Sequence, residues 1–534
     1  MNSNEFLLLQ VLQSSFNELP EVPQLHHNIQ VLGVDSLQTA TLAAKIYKIW
    51  GVRIPLRMLL KMDAFFELLP QLPEAIRADT TTVYSPSSTQ EFVQSSAQQM
   101  VYIEHFRNPI CTAYNIPIIA TIPAAISGQQ LADALREVAA TVPLLFAQFY
   151  DRNGAFLFRY GGTRDIAVER FDSLTQAAQN LTRPFKLDED VLLRAAIVPF
   201  DGTHTHIIFD FSHIIADGIS VGYFVENLKR ALQNQPLEYE DYSFFDLRSR
   251  RADLNSAHQQ DSDRHFWKEI SNQIEPKPLW PRQPSSASPR PKNYSYAVQY
   301  TRIDPVQADQ FRALAQHTKT SPFTLALLIH FLLQADLLNN WKSQVGVVVS
   351  GRTEVDFFSS FGMFVNTLIL PLQLSPDMTV QGAIDTLYLR TQHALEHQGF
   401  PTLELLKLAP RYSHEEGSHP LLDVLFAFQN ISYQKIELFG ARFRSFCEAK
   451  KMAQFGLVVH FFDLGTTGYE VQWEYCPNQF SHDTIGTFSQ IFQRILQRLL
   501  GTVLDAPLKN LVQPDVAVRT SQILNETIDF DFGD

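Results

Sequence analysis

Residues 209–220 read FDFSHIIADGIS. A short apolar run ends in Ser212 and His213, and Asp217 and Gly218 follow four and five positions after the histidine. The next residues, ISVGYFVENLKRAL, carry apolar groups at helical spacing. The pattern predicts a strand, a tight turn and a helix, with an imidazole held at the strand end. A histidine near its ordinary pKa in such a fixed position suits proton transfer to or from a reacting group. In that reading Asp217 fixes the turn through an ion pair, and Gly218 lets a substrate approach the backbone closely. The same letters also describe an ordinary strand-end histidine followed by a helix-capping aspartate. With 16 histidines in the chain, the spacing by itself does not decide between the two.

Outward from this stretch, residues from about 95 to 515 alternate between strand and helix patterns. Expected strands include 204–211, 344–350 and 456–463, and expected helices include 128–140, 219–234, 305–317 and 383–397. A Pro/Ser-rich stretch at 276–293, PKPLWPRQPSSASPRPKN, divides this region into two halves of similar size. Two mixed α/β lobes meeting at such a segment would form a cleft, where sites tend to lie. The first 75 or so residues read as a small helical bundle. Phe6, Leu9, Leu12 and Phe16, then Leu37, Ala40, Ala44 and Tyr47, recur at helical spacing, with Leu59 to Leu69 as a third helix. A Ser/Thr-rich stretch, RADTTTVYSPSSTQEFVQSS, follows as a linker. The expected fold class is therefore α/β (α+β), a small helical bundle followed by two α/β lobes.

A second motif lies in the bundle. Residues 32–37 are LGVDSL, so Ser36 follows Asp35 at the start of an amphipathic helix. Unpaired N–H groups and the helix dipole at such an end favour an attached phosphate. A plain helix cap at Asp35 or Ser36 accounts for the same letters. His26 and His27 lie in the preceding loop without ligand spacing and are expected to face solvent. The alternating THTHII at 203–208 resembles a metal pair, but no third ligand is evident and a solvent-facing strand side explains it.

Composition narrows the possible functions. The net charge of −13 argues against a nucleic-acid binder, which needs basic surface to neutralise phosphates. Cys111, Cys447 and Cys476 are odd in number and widely spaced, a pattern of a reducing compartment rather than a disulfide framework or a metal knot. The N-terminus MNSNEFLLLQVLQ has no basic region or cleavage site, and no run approaches the ~18 apolar residues that span a bilayer. A soluble, cytoplasmic, multidomain protein is the expectation, with no nucleic-acid or membrane partner.

The motifs resemble two known families. LGVDSL within a helical module resembles the peptidyl carrier (thiolation) domains of nonribosomal peptide synthetases, with Val34 where a glycine is more usual. That resemblance covers residues 1–75 and implies that Ser36 bears a covalent 4′-phosphopantetheine, installed by a phosphopantetheinyl transferase. HxxxDG, here His213 to Gly218, resembles the signature of the chloramphenicol acetyltransferase-like fold, and the flanking motifs resemble condensation domains. SSAQQMVY (95–102), YEDYSFFD (239–246), SGRTEVDFFSSFGMFVNTL (350–368), HQGFP (397–401) and HPLLDVLFAFQN (419–430) occur in the order those domains show.

The resemblance implies a linker at 76–93, an N-terminal lobe at 94–275, a C-terminal lobe at 276–515 and a tail or linker at 516–534. It also implies amide-bond formation between a carrier-bound aminoacyl or peptidyl thioester donor and an acceptor amine, working with upstream or downstream synthetase modules or carrier proteins. His213, Asp217, Gly218 and Ser212 are the implied catalytic group, Ser212 standing where condensation domains usually carry a first histidine. Ser350, Arg352 and Asn366 are implied tunnel or supporting residues, and no metal is implied. SHIIADGIS and GMFVNTL resemble the subclass taking L-configured donors. Met100 and Phe146 stand where the family has arginines, and the second of those arginines pairs with the aspartate of HxxxDG. Asp217 is thus expected either to lack that partner or to take Arg352 in its place. Ester-forming or cyclising release, epimerisation and noncatalytic recruitment are the rival functions within the same fold.

Overall fold

The protein is described by a computed structural model that covers residues 3–15, 22–27, 36–52, 54, 58–59, 62–73 and 89–513, the last apart from 124–125, 239–243, 246–256, 275–279, 281–294, 353–359, 409–421, 423 and 430–435. Tyr239 and Tyr242, Val34 and Asp35, and the tail from 516 lie outside the described residues.

The first unit packs helices Ser3–Ser15 and Ser36–Trp50 with a 3-10 turn at Phe65–Gln71. Its core joins Leu8, Val11 and Leu12 to Leu42, Ile46, Trp50, Phe65 and Leu68, positions that recur every three or four residues along each helix. Of the helix expected from 59 to 69, Met58 and Leu59 are α-helical and Phe65–Gln71 is 3-10, with Pro70 removing a backbone donor; residues 60–61 lie outside the described residues. His27, expected in solvent, is buried and its Nδ1 accepts from the Gln24 amide at 3.2 Å.

Beyond the linker, the first lobe is built on a five-stranded sheet. Its order is Arg444–Ser445, Asn115–Pro123, His204–Ser212, Leu193–Pro199 and Val168–Arg170. All neighbours are antiparallel except the last pair. Helices Gly128–Thr141 and Gly218–Leu232 pack together beside it, burying Leu131, Leu135 and Val138 with Val221, Phe224 and Leu228. A smaller antiparallel sheet orders Glu91–Val93, Ala155–Tyr160 and Ala147–Arg152. The second lobe has a six-stranded sheet in the order Asn366–Gln373, Lys342–Val349, Val424–Gln429, Leu457–Asp463, Tyr469–Tyr475 and Ala297–Ile303. Helix Pro322–Leu338 is apolar on every side and is buried from Thr324 to Leu337, as such a helix must be in a globular core. No single helix among the described residues is long and apolar enough to cross a membrane.

Two expected boundaries do not coincide with the packing. The first lobe begins before residue 94, because Glu91–Val93 pairs with Ala155–Tyr160 and Phe92 lies in the first core. It also does not end cleanly at 275. Trp267, Ile270 and Ile274 pack into the second core, and the Trp267 indole donates to the His397 carbonyl at 2.9 Å. In return the second half of the chain sends Phe361, Met363, Leu438 and Phe443 into the first core and adds the strand Arg444–Ser445 to the first sheet. Each half therefore completes the core of the other.

Candidate active site

His204–Ser212 pairs along its whole length with Asn115–Pro123, ending at the Asn115–Ser212 pair, so His213 is the first residue beyond the sheet. Its amide donates to the Tyr114 carbonyl at 2.8 Å, and the Gln98 side chain donates to the Ile214 carbonyl at 3.1 Å. These two bonds fix the turn from outside. Helix Gly218–Leu232 then starts at Asp217, whose carboxylate accepts from the Ser220 amide at 2.9 Å. The imidazole is half-buried and lines a cavity of about 280 Å³. Its Nδ1 is buried against the backbone of His213 and Ala216 without a well-formed hydrogen bond. Burial holds the ring's pKa below its ordinary value, and the nearby Lys450 charge pushes the same way, while the backbone and Asp217 oppose them. The shift favours the neutral ring, the form that can accept a proton.

Asp217 does not lack a partner. Arg352, from the other half of the chain, donates from Nη2 to both carboxylate oxygens, at 2.8 and 3.0 Å, and both side chains are sealed from water. Arg352 also donates to the Ser360 carbonyl at 2.7 Å and to Ser220 Oγ at 3.0 Å, and its guanidinium lies 4.2 Å from the Phe364 ring centroid. Ser220 Oγ in turn donates to the Gly362 carbonyl at 2.7 Å and accepts from its amide at 2.9 Å. Phe146, at the position of the expected arginine, is fully buried in the first core. Gly351 makes the approach possible. Its φ is +62°, and a Cβ there would sit 1.9 Å from the Phe364 carbonyl oxygen. This cluster ties the two halves of the chain together.

Of the other expected site residues, Gly218, Ser350 and Asn366 line the cavity. Asn366 acts as a brace. Its amide donates to the Gln398 and Phe400 carbonyls at 2.8 and 2.9 Å, and its oxygen accepts from the Thr402 hydroxyl. Ser212 is not in the cavity wall. It is fully buried, and its hydroxyl has no partner among the described residues. Its strand-face neighbours are polar too: Asn115 donates to Asp210 Oδ2 at 2.8 Å, and Arg194 lies 3.3 Å from the same oxygen. Burial pushes the Asp210 carboxyl up to about 7 in spite of Arg194 and Asn115. Ser36 opens its helix in the first unit, which contributes none of the described cavity wall.

His204 and His206 do not form a metal pair. His204 is half-buried beside Asp201, and His206, expected to face solvent, is buried with Nδ1 2.9 Å from the Thr121 hydroxyl; no metal-ligand cluster is present among the described residues.

The cavity also contains groups that the sequence did not single out. Tyr114, Phe323, Gln429, Phe455 and His460 line it from both halves of the chain. His460 sits on Leu457–Asp463 opposite Ala427, with Nδ1 3.3 Å from the Gln429 amide and Nε2 3.7 Å from Glu474. The sequence contained only one hint of it, a single histidine in the otherwise apolar strand LVVHFFD. Met100, noted only as a departure from a motif, faces the cavity as part of its wall.

The condensation domain family model matches residues 88–515, which takes in the whole of this two-lobed region. The chain belongs to the condensation domain family. Its relatives include tyrocidine synthase 3 of Brevibacillus parabrevis, 23% identical over 503 residues that cover 91% of this chain and 8% of that protein. Gramicidin S synthase 2 of Brevibacillus brevis is 22% identical over 527 residues, covering 96% of this chain and 11% of that protein. The chain thus spans about a tenth of the length of these synthases. A four-domain nonribosomal peptide synthetase bound to AMP and glycine superposes with a TM-score of 0.70 at 17% identity, over 82% of this chain and 35% of that one. The condensation domain of the monacolin K polyketide synthase superposes with a TM-score of 0.69 at 16% identity, over 79% of this chain and all of that one. The two lobes have the condensation-domain fold expected from the motifs.

Proposed function

We propose that this condensation domain joins a carrier-bound acyl or aminoacyl thioester to an acceptor amine, making an amide. One observation carries the reading. The His213 imidazole lines a cavity walled by both halves of the chain, and a buried ion pair joins those halves four residues along. The amine nitrogen attacks the thioester carbonyl carbon while its excess proton passes to His213. The C–S bond breaks, and the proton returns to the sulfur, leaving an amide and a free thiol with no net change at the histidine. Positioned proton transfer of this kind is worth ~10²–10⁴ in rate. Asp217 takes no proton in this scheme. Held by Arg352, Ser220 and the Phe364 amide, it fixes the helix start and the turn that aims the ring.

The same reading assigns residues 1–75 as a carrier domain, followed by the linker expected at 76–93 but ending before the strand Glu91–Val93, and Ser36 as the attachment point of 4′-phosphopantetheine, which supplies a flexible thiol for the thioester. The helix beginning at Ser36 supports it, because that end of a 15-residue helix suits a phosphate. The alignment with gramicidin S synthase 2, at 96% of this chain, extends well into the first 87 residues. A phosphopantetheinyl transferase and the neighbouring modules of a synthetase are the corresponding partners. No disulfide joins Cys111, Cys447 or Cys476 among the described residues, which fits a cytoplasmic setting.

The test uses the full chain with a synthetic acyl-pantetheine donor and an amine, followed by mass spectrometry. His213→Ala is expected to lower amide formation by ~10²-fold or more. An unchanged rate in a folded variant would remove the catalytic reading and leave recruitment.

A further inference from the structure

The cavity wall offers almost no usable charge. Most of it is apolar, with Met100, Phe323, Met363, Leu425, Phe428 and Phe455 among its larger groups. Its polar members are hydroxyls and amides apart from His213, His460 and Asp217, and no lysine, arginine or glutamate lines it among the described residues. The one carboxylate is already engaged. Asp217 Oδ1 accepts from the Ser220 amide and Arg352, with Ser220 Oγ 2.8 Å away, and Oδ2 accepts from Arg352 and the Phe364 amide.

Behind His460, Glu474 is engaged as well. Its Oε1 accepts from Lys450 at 2.6 Å, from Gln472 at 2.8 Å and from Tyr296 at 3.2 Å, while Oε2 faces His460 at 3.7 Å. Lys450 and Glu474 offset each other one layer behind the wall, so that layer offers no net charge to a ligand.

We infer that the cavity takes uncharged, predominantly apolar substituents beside the reacting carbonyl, and rejects acyl or amine partners that bear a further carboxylate or ammonium group. An ion entering it would lose its water and meet neither a free counter-ion nor enough donors to replace that water. An apolar chain would gain by leaving water against the Met and Phe groups. This rests on the reading that the His213 cavity is where thioester and amine meet. Met100 is the leading specificity residue, since it lies half-buried on helix Ser96–Arg107 with its side chain in the wall.

The experiment measures two things on the full chain. Calorimetry follows binding of non-hydrolysable amide analogues of octanoyl-, phenylacetyl- and succinyl-pantetheine and of a trimethylammonio-butyryl analogue. Mass spectrometry follows transfer from the matching thioesters to one neutral amine, and from octanoyl-pantetheine to amines with apolar, anionic or cationic substituents. The two charged donors are expected to bind and react more weakly than the apolar pair by about tenfold or more. Selectivity confined to the donor arm or the amine arm identifies which substrate fills the cavity, and either supports the inference. Met100→Arg is expected to improve the succinyl donor relative to octanoyl by about tenfold and to leave the cationic donor rejected. Equal binding of charged and apolar analogues, or transfer without discrimination in both arms, would overturn the inference and leave the catalytic reading standing. Discriminating binding without any transfer would do the reverse.

Discussion

Arg352 Nη2 lies 2.8 Å from Asp217 Oδ1, joining two side chains that are 135 residues apart in sequence and closed off from solvent. A buried pair of this kind is costly to break, because removal of one member leaves the other charged and unpaired. Arg352→Ala is therefore expected to lose about 3–5 kcal/mol of stability. The double variant Arg352→Met with Asp217→Asn removes both charges and is expected to recover much of that loss. Denaturant unfolding of the two single variants and the double variant measures the coupling, and simple additivity would show that the pair is not a unit.

The depressed pKa of His213 gives the pH profile a direction. Burial lowers it from 6.5, so the neutral form dominates from below that pH upward. Amide formation with a weakly basic amine is expected to rise along a limb centred below 6.5 and to stay flat through pH 8. The limb should vanish in His213→Ala. A limb centred above 7 would mean the ring is stabilised in its charged form.

Gly351→Ala tests the crossing of the two halves. The added Cβ meets the Phe364 carbonyl in a backbone conformation that an alanine avoids, so the loop must move and Arg352 with it. The expected result is a loss of at least about 1 kcal/mol in stability together with a fall in kcat. Gly154, whose φ is +84°, has nothing within 4 Å of a Cβ and serves as the control, with backbone strain alone and no effect on catalysis.

Acid sensitivity is expected to come in part from His330. It is fully buried between Trp280 and Phe426 with neither ring nitrogen bonded among the described residues, and burial lowers its pKa to about 3. The unfolded chain protonates this histidine near 6.5 and the folded protein only near 3, so its contribution is complete above pH 6.5 and is lost as pH falls towards 3. The amount is on the order of a few kcal/mol. His330→Leu is expected to flatten the acid limb of a stability curve measured from pH 7 to 4. An unaltered limb would assign acid unfolding to other groups.

The local pieces of this protein were legible from short-range physics. A short apolar run gave the strand expected at 204–211 and found at 204–212, the period of 3.6 gave the helix at 305–317, and side chains such as Ser127, Asp304 and Ser481 sit where helices need caps. His213 at a strand end and Asp217 at a helix start follow from the same rules. Which groups meet across the cavity was not legible, because those contacts join residues more than a hundred positions apart. The choice of Arg352 over position 146, the exclusion of Ser212 from the wall, the entry of His460 and the exchange of core segments between the halves were all decided by packing. Spacing along a chain sets which face a side chain takes on its own element, whereas only the assembled sheets determine what that face meets.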